Sequence, residues 1–490
     1  MLEKLAKQTA IYGISTIFGR FLSYLLTPFY TRVFDAATYG ITVDVYALIP
    51  LALVLLTMGM ESTYFRFAAK AEEQGGDVRA AKRRLFATTW GATTLAALLF
   101  FVLLVVFRHP VSVWMGEAYE AHPEYLVWVG AIILLDVTTA VPYARLREQG
   151  RAGRYVGIRL FSVVVNVVLA FVFGFVGLYD TSFGVGWVFV ANFVASALAL
   201  AAILPTTDRV LPRIDRKLLS RVLIYSLPLM VSGFAGTANE FIDRQMIKFL
   251  VPEDAMAQMG IYGAIVKIGV VMVLFTQMYR LAAEPFFLAD YKKSDFVAMN
   301  AAALKYFVLA SMFIFLGIVF FRDLFALIVG PEFRQGIGIL PAVLGANILS
   351  GVWLNLSFWY KREEKTSFAI LVTFVGLLFT VVFNVIFVPR WGYYGAAWAR
   401  LICEAAMVAV SYYLNRRFFP TPYPVRRIAE YVLLALLVYG VSVFMDRSVC
   451  SAVARYAINL LLLAGYTCYA VRRERIDVKG LIRSILHRGR

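Results

Sequence analysis

The chain has 490 residues, 61% hydrophobic and only 16% charged, and a mean hydropathy of +0.73 that excludes a soluble globular protein. Its net charge of +17 comes from Lys and Arg set between apolar runs, not gathered on one solvated domain, which excludes a nucleic-acid-binding protein. Three cysteines (Cys403, Cys450, Cys468) and three scattered histidines make neither a disulfide framework nor a metal centre, and no cofactor is implied.

Fourteen apolar runs approach the roughly 20 residues that a helix needs to span a bilayer. They begin near Thr9, Ile41, Leu85, Tyr125, Val156, Gly184, Val222, Ile261, Ala301, Ile337, Ser367, Tyr394, Ile428 and Ala454. Each is predicted helical, because an open strand cannot satisfy its backbone groups in lipid. The expected fold is therefore an all-α polytopic membrane protein of about 14 transmembrane helices. The first run follows a short basic start without a small-residue cleavage site, so it reads as a retained helix.

Helix one carries Thr16, Arg20, Tyr24, Thr27 and Thr31 on one stripe, with Arg20 too deep to snorkel easily. Helix two has Asp44 near one end and Glu61 near the other, and helix four has Asp136. On helix seven Glu240, Asp243 and Arg244 fall at i, i+3 and i+4, and Lys248 follows one turn later. Helix eight places Gln277, Arg280 and Glu284 on one face, with Lys267 further round and Pro285 expected to break its end. Helix twelve has Arg400 and Glu404 at i and i+4. A charge at bilayer depth costs roughly 2.5 to 3.5 kcal/mol on insertion scales, so such faces normally line a bundle interior or a wet cavity. Pro28, Pro50, Pro228 and Pro285 are expected to interrupt the leading helices.

If the N-terminus is cytoplasmic, 33 of the 48 Lys and Arg fall on that face and about eight on the other, which predicts both termini inside. Gly184-Val-Gly-Trp187 matches Gly395-Ala-Ala-Trp398, and Arg32-Val-Phe before Tyr39-Gly40 resembles Lys248-Phe-Leu before Gly260. The repeat predicts two pseudo-symmetric six-helix lobes, residues 1–210 and 211–427, with the same orientation. Two extra C-terminal helices occupy 428–471, and a basic cytoplasmic tail, 472–490, mixes seven cations with Ile and Leu as an interfacial helix does. Catalytic patterns are absent: there is no nucleophile elbow, no phosphate-cradling loop and no nucleotide-binding motif.

Glu61-Ser-Thr-Tyr-Phe-Arg-Phe67, Glu240-Phe-Ile-Asp-Arg244, Ala283-Glu-Pro-Phe-Phe287 and the stretch from Phe383 to Ala397, within fourteen helices in two parallel lobes, resemble the polysaccharide-biosynthesis, or O-antigen, flippases. These belong to the multidrug/oligosaccharidyl-lipid/polysaccharide exporter superfamily. The resemblance implies a MATE-like fold and no enzymatic activity. It implies a monomer in the cytoplasmic (inner) membrane that moves a polyprenyl-diphosphate-linked oligosaccharide (an O-antigen, capsule or exopolysaccharide repeat unit) by alternating access, with polysaccharide assembly proteins as candidate partners. Arg20, Arg244, Lys267, Arg280 and Arg400 are then the expected head-group cations of a central cavity. Asp44, Glu61, Asp136, Glu240, Asp243, Glu284 and Glu404 are the carboxylates expected to hold them or to bind a coupling H⁺ or Na⁺. Two other classes stay open: a MATE-type drug or cation antiporter, which calls for a carboxylate-dominated cavity, and a membrane glycosyltransferase or polymerase. The second calls for acceptor-facing carboxylates on a large outer loop, yet the longest outer segment runs only from Arg108 to Glu124.

Overall fold

The computed structural model describes residues 17–475 apart from 20, 76, 209, 288–292, 364, 366 and 449–450. Its helices in chain order begin with α1 (Leu26–Val33), α2 (Ala36–Thr57), α3 (Met60–Gln74), α4 (Val78–Val106), α5 (Arg108–Met115), α6 (Glu117–Glu120), α7 (Glu124–Glu148), α8 (Ala152–Phe175), α9 (Gly186–Ile203) and α10 (Arg216–Leu250). They continue with α11 (Ala255–Ile268), α12 (Val270–Phe287), α13 (Lys293–Phe320), α14 (Arg322–Ala326), α15 (Leu340–Leu356), α16 (Phe358–Arg362), α17 (Ser367–Trp391), α18 (Tyr393–Phe418), α19 (Val425–Ser448) and α20 (Ala452–Glu474). No strand occurs among the described residues. The all-α polytopic class expected from the sequence is the class observed.

Eleven stretches are long and apolar enough to cross a bilayer, and α11 with α12, bent by 50° at Gly269, makes a twelfth. The last expected run is the 23-residue helix α20, whose Arg455, Arg472 and Arg473 flank an apolar middle. The first expected run begins at Thr9, outside the described residues, and from Ile17 on it is described and helical on both sides of a turn at Leu25. Carboxylate caps start several helices at the membrane edge. Asp35 accepts from the Thr38 N–H at 2.7 Å, Asp77 from Ala80 at 3.0 Å, and Asp215 from Lys217 and Leu218 at 3.0 and 3.1 Å. Large apolar side chains such as Leu99, Phe175, Leu378, Leu437 and Leu461 stand exposed, as they must on a surface solvated by lipid.

Apart from Pro28, which sits in the first turn of α1 just after a turn at Leu25, the interruptions differ from those expected at proline. Pro50 and Pro228 lie inside continuous helices, and α12 runs past Pro285 to Phe287. A proline removes one donor and can be absorbed by a gentle bend. The break after α2 comes instead at Met58 and Gly59, both at positive φ (51° and 67°), where the backbone itself leaves the helical region.

By contacts the chain divides into two compact units. The first comprises Met1–Lys267, Val329–Gln335 and Thr373–Ala399. Its densest packing sets α7 against α4 and α9, α9 against α8, and α2 against α10. One apolar core joins Met60, Tyr64 and Ala68 of α3 to Leu85, Phe86 and Trp90 of α4, and to Val141 and Ala144 of α7. The Trp90 indole donates to the Thr138 carbonyl at 2.9 Å, which satisfies the one polar atom that the ring brings into this core. In the same unit α2 and α11 approach through glycine. A Cβ on Gly40 would overlap the Met256 carbonyl, and one on Gly260 the Ala36 carbonyl. Gly260→Ala is therefore expected to destabilise the protein by about 1 to 3 kcal/mol through overpacking. A detergent melting curve checks this, and an unchanged midpoint would show that the helices are not so close.

The second unit comprises Ile268–Ile328, Gly336–Val372 and Arg400–Arg490. Here α13 is central, packed by α12, α15, α19 and α20. Ion pairs from its middle and from the short α14 that follows it reach the last two helices. Arg322 meets Asp446 at 2.8 Å and Arg455 meets Asp323 at 2.7 Å, while Lys305 pairs with Glu474, which also accepts from the Tyr431 hydroxyl.

Candidate functional site

Among the described residues, charges on the spanning helices gather in several places in both units. The most enclosed centres on Asp44 of α2, which is fully buried. Its carboxylate accepts from the Tyr119 hydroxyl at 2.7 Å, from the Gln245 amide at 2.5 Å and from the Lys248 ammonium. The Lys248 Nζ also sits 4.6 Å from the centre of the Tyr119 ring. Burial, and next the neighbouring Asp44 charge, push the Tyr119 phenol well above its ordinary pKa, so it remains a donor. Three donors, one of them a counter-ion, make this carboxylate affordable in the interior. The same cluster ties α2 to α10 and to the α6 segment.

One turn before Lys248, Asp243 is buried while Glu240 is exposed, so the face expected to be shared is split. Asp243 accepts from the Tyr262 hydroxyl, from the Arg244 backbone N–H at 2.8 Å and from the Arg244 Nη1 at 3.2 Å. Arg244 in turn reaches the Glu240 carbonyl at 3.0 Å and lies 5.1 Å from the Phe241 ring centre. Lys267, at the end of α11, differs from both. Its ammonium donates to the Tyr39 hydroxyl at 2.9 Å and stands 5.3 Å from that ring's centre, and no carboxylate pairs with it among the described residues.

The third cluster lines a chamber of about 260 Å³ walled by α2, α3, α7, α8 and α9. Glu61, Asp136, Arg147 and Arg159 face it together with Tyr143, Tyr155 and Ser162. Ser196 donates to Asp136 at 2.7 Å, and Arg159 lies 5.0 Å from the Tyr143 ring centre. None of the four charged groups is ion-paired to another, so the chamber is a polar, wettable space.

In the second unit Glu284 of α12 is shared by two cations, Arg280 one turn away at 3.2 Å and Lys361 of α16 at 2.7 Å. Arg400 and Glu404 lie one turn apart on α18, with Glu404 buried. Arg20 falls outside the described residues.

Several members of these clusters were not among the site residues expected from sequence. Lys248 was placed one turn past Arg244 but given no role. Lys361 and Arg147 were not named. Tyr119, Gln245, Tyr39 and Tyr262 carry no local signal, because each acquires its partner from 19 to more than 200 residues away.

The model of a family described as "Polysaccharide biosynthesis protein" matches residues 5–289. The chain is 19% identical over 443 residues to a protein of Haloferax volcanii described as a probable low-salt glycan biosynthesis flippase, Agl15, with 89% of each covered. Among solved structures it resembles the lipid II flippase MurJ in an inward closed conformation, with a TM-score of 0.77 at 14% identity, covering 95% of this chain and all of that one. It also resembles an inward-facing multidrug resistance MATE family transporter of the MOP superfamily, with a TM-score of 0.65 at 16% identity, covering 84% and 94%. At these identities the two structures speak for the fold alone.

Proposed function

This chain belongs to the polysaccharide biosynthesis protein family, and from that premise we propose that it moves a polyprenyl-diphosphate-linked oligosaccharide across the cytoplasmic membrane by alternating access. It is a multi-pass membrane transporter of the glycan-flippase type and not an enzyme. The finer reading concerns the head group. Of the charges at depth, Asp44, Asp243 and Glu284 each hold a cation, whereas among the described residues Lys267 meets only a phenol. That unpaired ammonium is the observation that carries the proposal: a cation kept in the membrane without a counter-ion suits a cargo that brings its own negative charge. Arg280, half-exposed beside Glu284, and Arg400 are the further cations proposed for the diphosphate path, with Arg20 and Arg244.

The lobes 1–210 and 211–427 are proposed as the alternating bodies of a monomer, with both termini cytoplasmic. Arg151 and Ser182 are exposed at opposite ends of the segment holding α8. With this orientation, a cysteine at Ser182 reacts with an impermeant thiol reagent in intact cells and one at Arg151 does not, whereas the reverse pattern would invert the topology.

Energy comes from the membrane potential in this reading. A diphosphate carries about two negative charges, and moving them outward across an inside-negative membrane gains about 4.6 kcal/mol per 100 mV. The test is a reconstituted sample given a labelled polyprenyl-diphosphate oligosaccharide under an imposed potassium diffusion potential. Faster flipping with an unchanged covalent structure is the expected result. A rate indifferent to potential, pH gradient and Na⁺ gradient would leave facilitated equilibration, and a new covalent product would make the protein an enzyme.

A further inference from the structure

The loop between α18 and α19 reads Phe419-Pro-Thr-Pro-Tyr-Pro424, and its side chains alternate strictly. Phe419, Thr421 and Tyr423 are buried, while Pro420 and Pro422 are exposed. Three prolines restrict the backbone to extended conformations, and the buried side chains fix the strap to the unit beneath it. Asn415 donates to the Thr421 hydroxyl at 3.2 Å and accepts from the Thr421 N–H at 3.3 Å. Asn300 donates to the Tyr423 hydroxyl at 2.9 Å, and Phe419 stacks on the fully buried Trp359 with ring centres 5.8 Å apart. Such a loop is preorganised, so a ligand there meets little ordering cost.

Above the strap lies an open cup of about 620 Å³, walled by Tyr412, Arg416, Val425, Arg426 and the prolines. Two arginine pairs flank it, 416–417 and 426–427, and no acidic residue occurs between Glu404 and Glu430. Within each pair one member is engaged elsewhere. Arg417 donates to the Tyr413 hydroxyl at 3.1 Å, and Arg427 faces Glu474 at 3.6 Å. The other two, Arg416 and Arg426, are exposed, make no ion pair or hydrogen bond among the described residues, and line the cup. Two free guanidiniums over a rigid, partly apolar floor at a membrane edge have the chemistry of a lipid phosphate site, since arginine forks match phosphate oxygens and the prolines and Tyr412 suit a glycerol or acyl stem.

We propose that the Arg416–Arg426 cup binds the phosphate head group of an anionic lipid in the leaflet that this loop faces, the cytoplasmic one in the orientation proposed above. The site stands apart from the charged clusters at membrane depth, and its test does not depend on transport. A structural phospholipid and the waiting cargo lipid share this chemistry, and the experiment separates them.

The purified full chain is placed in nanodiscs of phosphatidylcholine doped with either phosphatidylglycerol or polyprenyl diphosphate, and the lipid that stays with the protein after detergent washing is counted by mass spectrometry. Each cation near an anionic lipid surface adds about a factor of five, so Arg416→Gln with Arg426→Gln is expected to weaken retention about 25-fold. Arg154→Gln, an exposed basic position at the start of α8, is expected to leave it unchanged. Retention of phosphatidylglycerol identifies a structural lipid, and selective retention of polyprenyl diphosphate identifies the cargo lipid. Equal retention of phosphatidylcholine, equal loss with Arg154→Gln, no loss with the double variant, or binding of inorganic phosphate with neither lipid held would each overturn the proposal. Should the double variant fail to fold, each single variant, expected to be about fivefold weaker, reads the same contact.

Discussion

Lys267→Ala is expected to lower export of the lipid-linked glycan by roughly tenfold to a hundredfold while leaving the amount of protein in the membrane close to wild type. The reasoning starts from the cost of the side chain. An ammonium near the bilayer centre is unfavourable by roughly 2.5 to 3.5 kcal/mol, and a single bond to the Tyr39 hydroxyl offsets only part of that. Alanine removes the cost and breaks no ion pair, so the folded protein has little to lose. The cargo does lose something: a hydrogen bond to a charged group is worth about 1.5 to 3 kcal/mol, roughly a tenfold to hundredfold change in affinity. Lys267→Arg, which keeps the charge, is expected to retain part of the activity. Export is read by surface glycan and protein level by quantitative blotting of membranes. Wild-type export with Lys267→Ala would remove Lys267 from the head-group path, and disappearance of the protein would make its bond to Tyr39 structural.

Removing the ammonium of Lys248 should have the opposite character, a large loss of stability. Asp44 has no exposure, and Lys248→Met leaves that carboxylate with Gln245 and Tyr119 as its donors among the described residues. Breaking one partner of a buried pair typically costs about 3 to 5 kcal/mol, whereas replacing both by groups of similar shape is often close to neutral. Lys248→Met is accordingly expected to lower the melting midpoint sharply, and Asp44→Asn in the same chain to recover most of it. The double-mutant cycle in detergent is the measurement. Additive effects of the two substitutions would mean that the pair contributes no coupling, and the cluster would then owe its stability to Tyr119 and Gln245. Because the cluster joins α2 to α10, a variant that survives is also expected to open more readily at that end.

Much of the architecture was legible in the residues because a bilayer leaves few choices. Backbone groups in hydrocarbon must be satisfied within the segment, so an apolar run of sufficient length is a helix, and thirteen of the fourteen expected starts fall on or within a few residues of an observed helix. The carboxylates and cations at depth were legible for the same reason, since each is too costly to be incidental. Even the i, i+4 contact of Arg280 with Glu284 could be written down in advance from helical spacing.

What stayed hidden is which charge meets which partner. Proline composition suggested the breaks, yet apart from the one beside Pro28 it is positive φ at Met58 and Gly59 and the bend at Gly269 that make them, because a missing donor bends a helix where a change of backbone region ends it. Composition, helical period and the distribution of Lys and Arg by themselves determined that this is a polytopic, all-α protein with charges placed where lipid would reject them. Only the tertiary structure decided that Asp44 is closed by Lys248, that Arg147 and Arg159 share a chamber with Asp136 and Glu61, and that Lys267 meets no carboxylate among the described residues. The physical reason is that the first set depends on the solvent each residue faces, which a single helix already defines, whereas the second depends on side chains brought together across different helices, up to more than 200 residues apart in the chain.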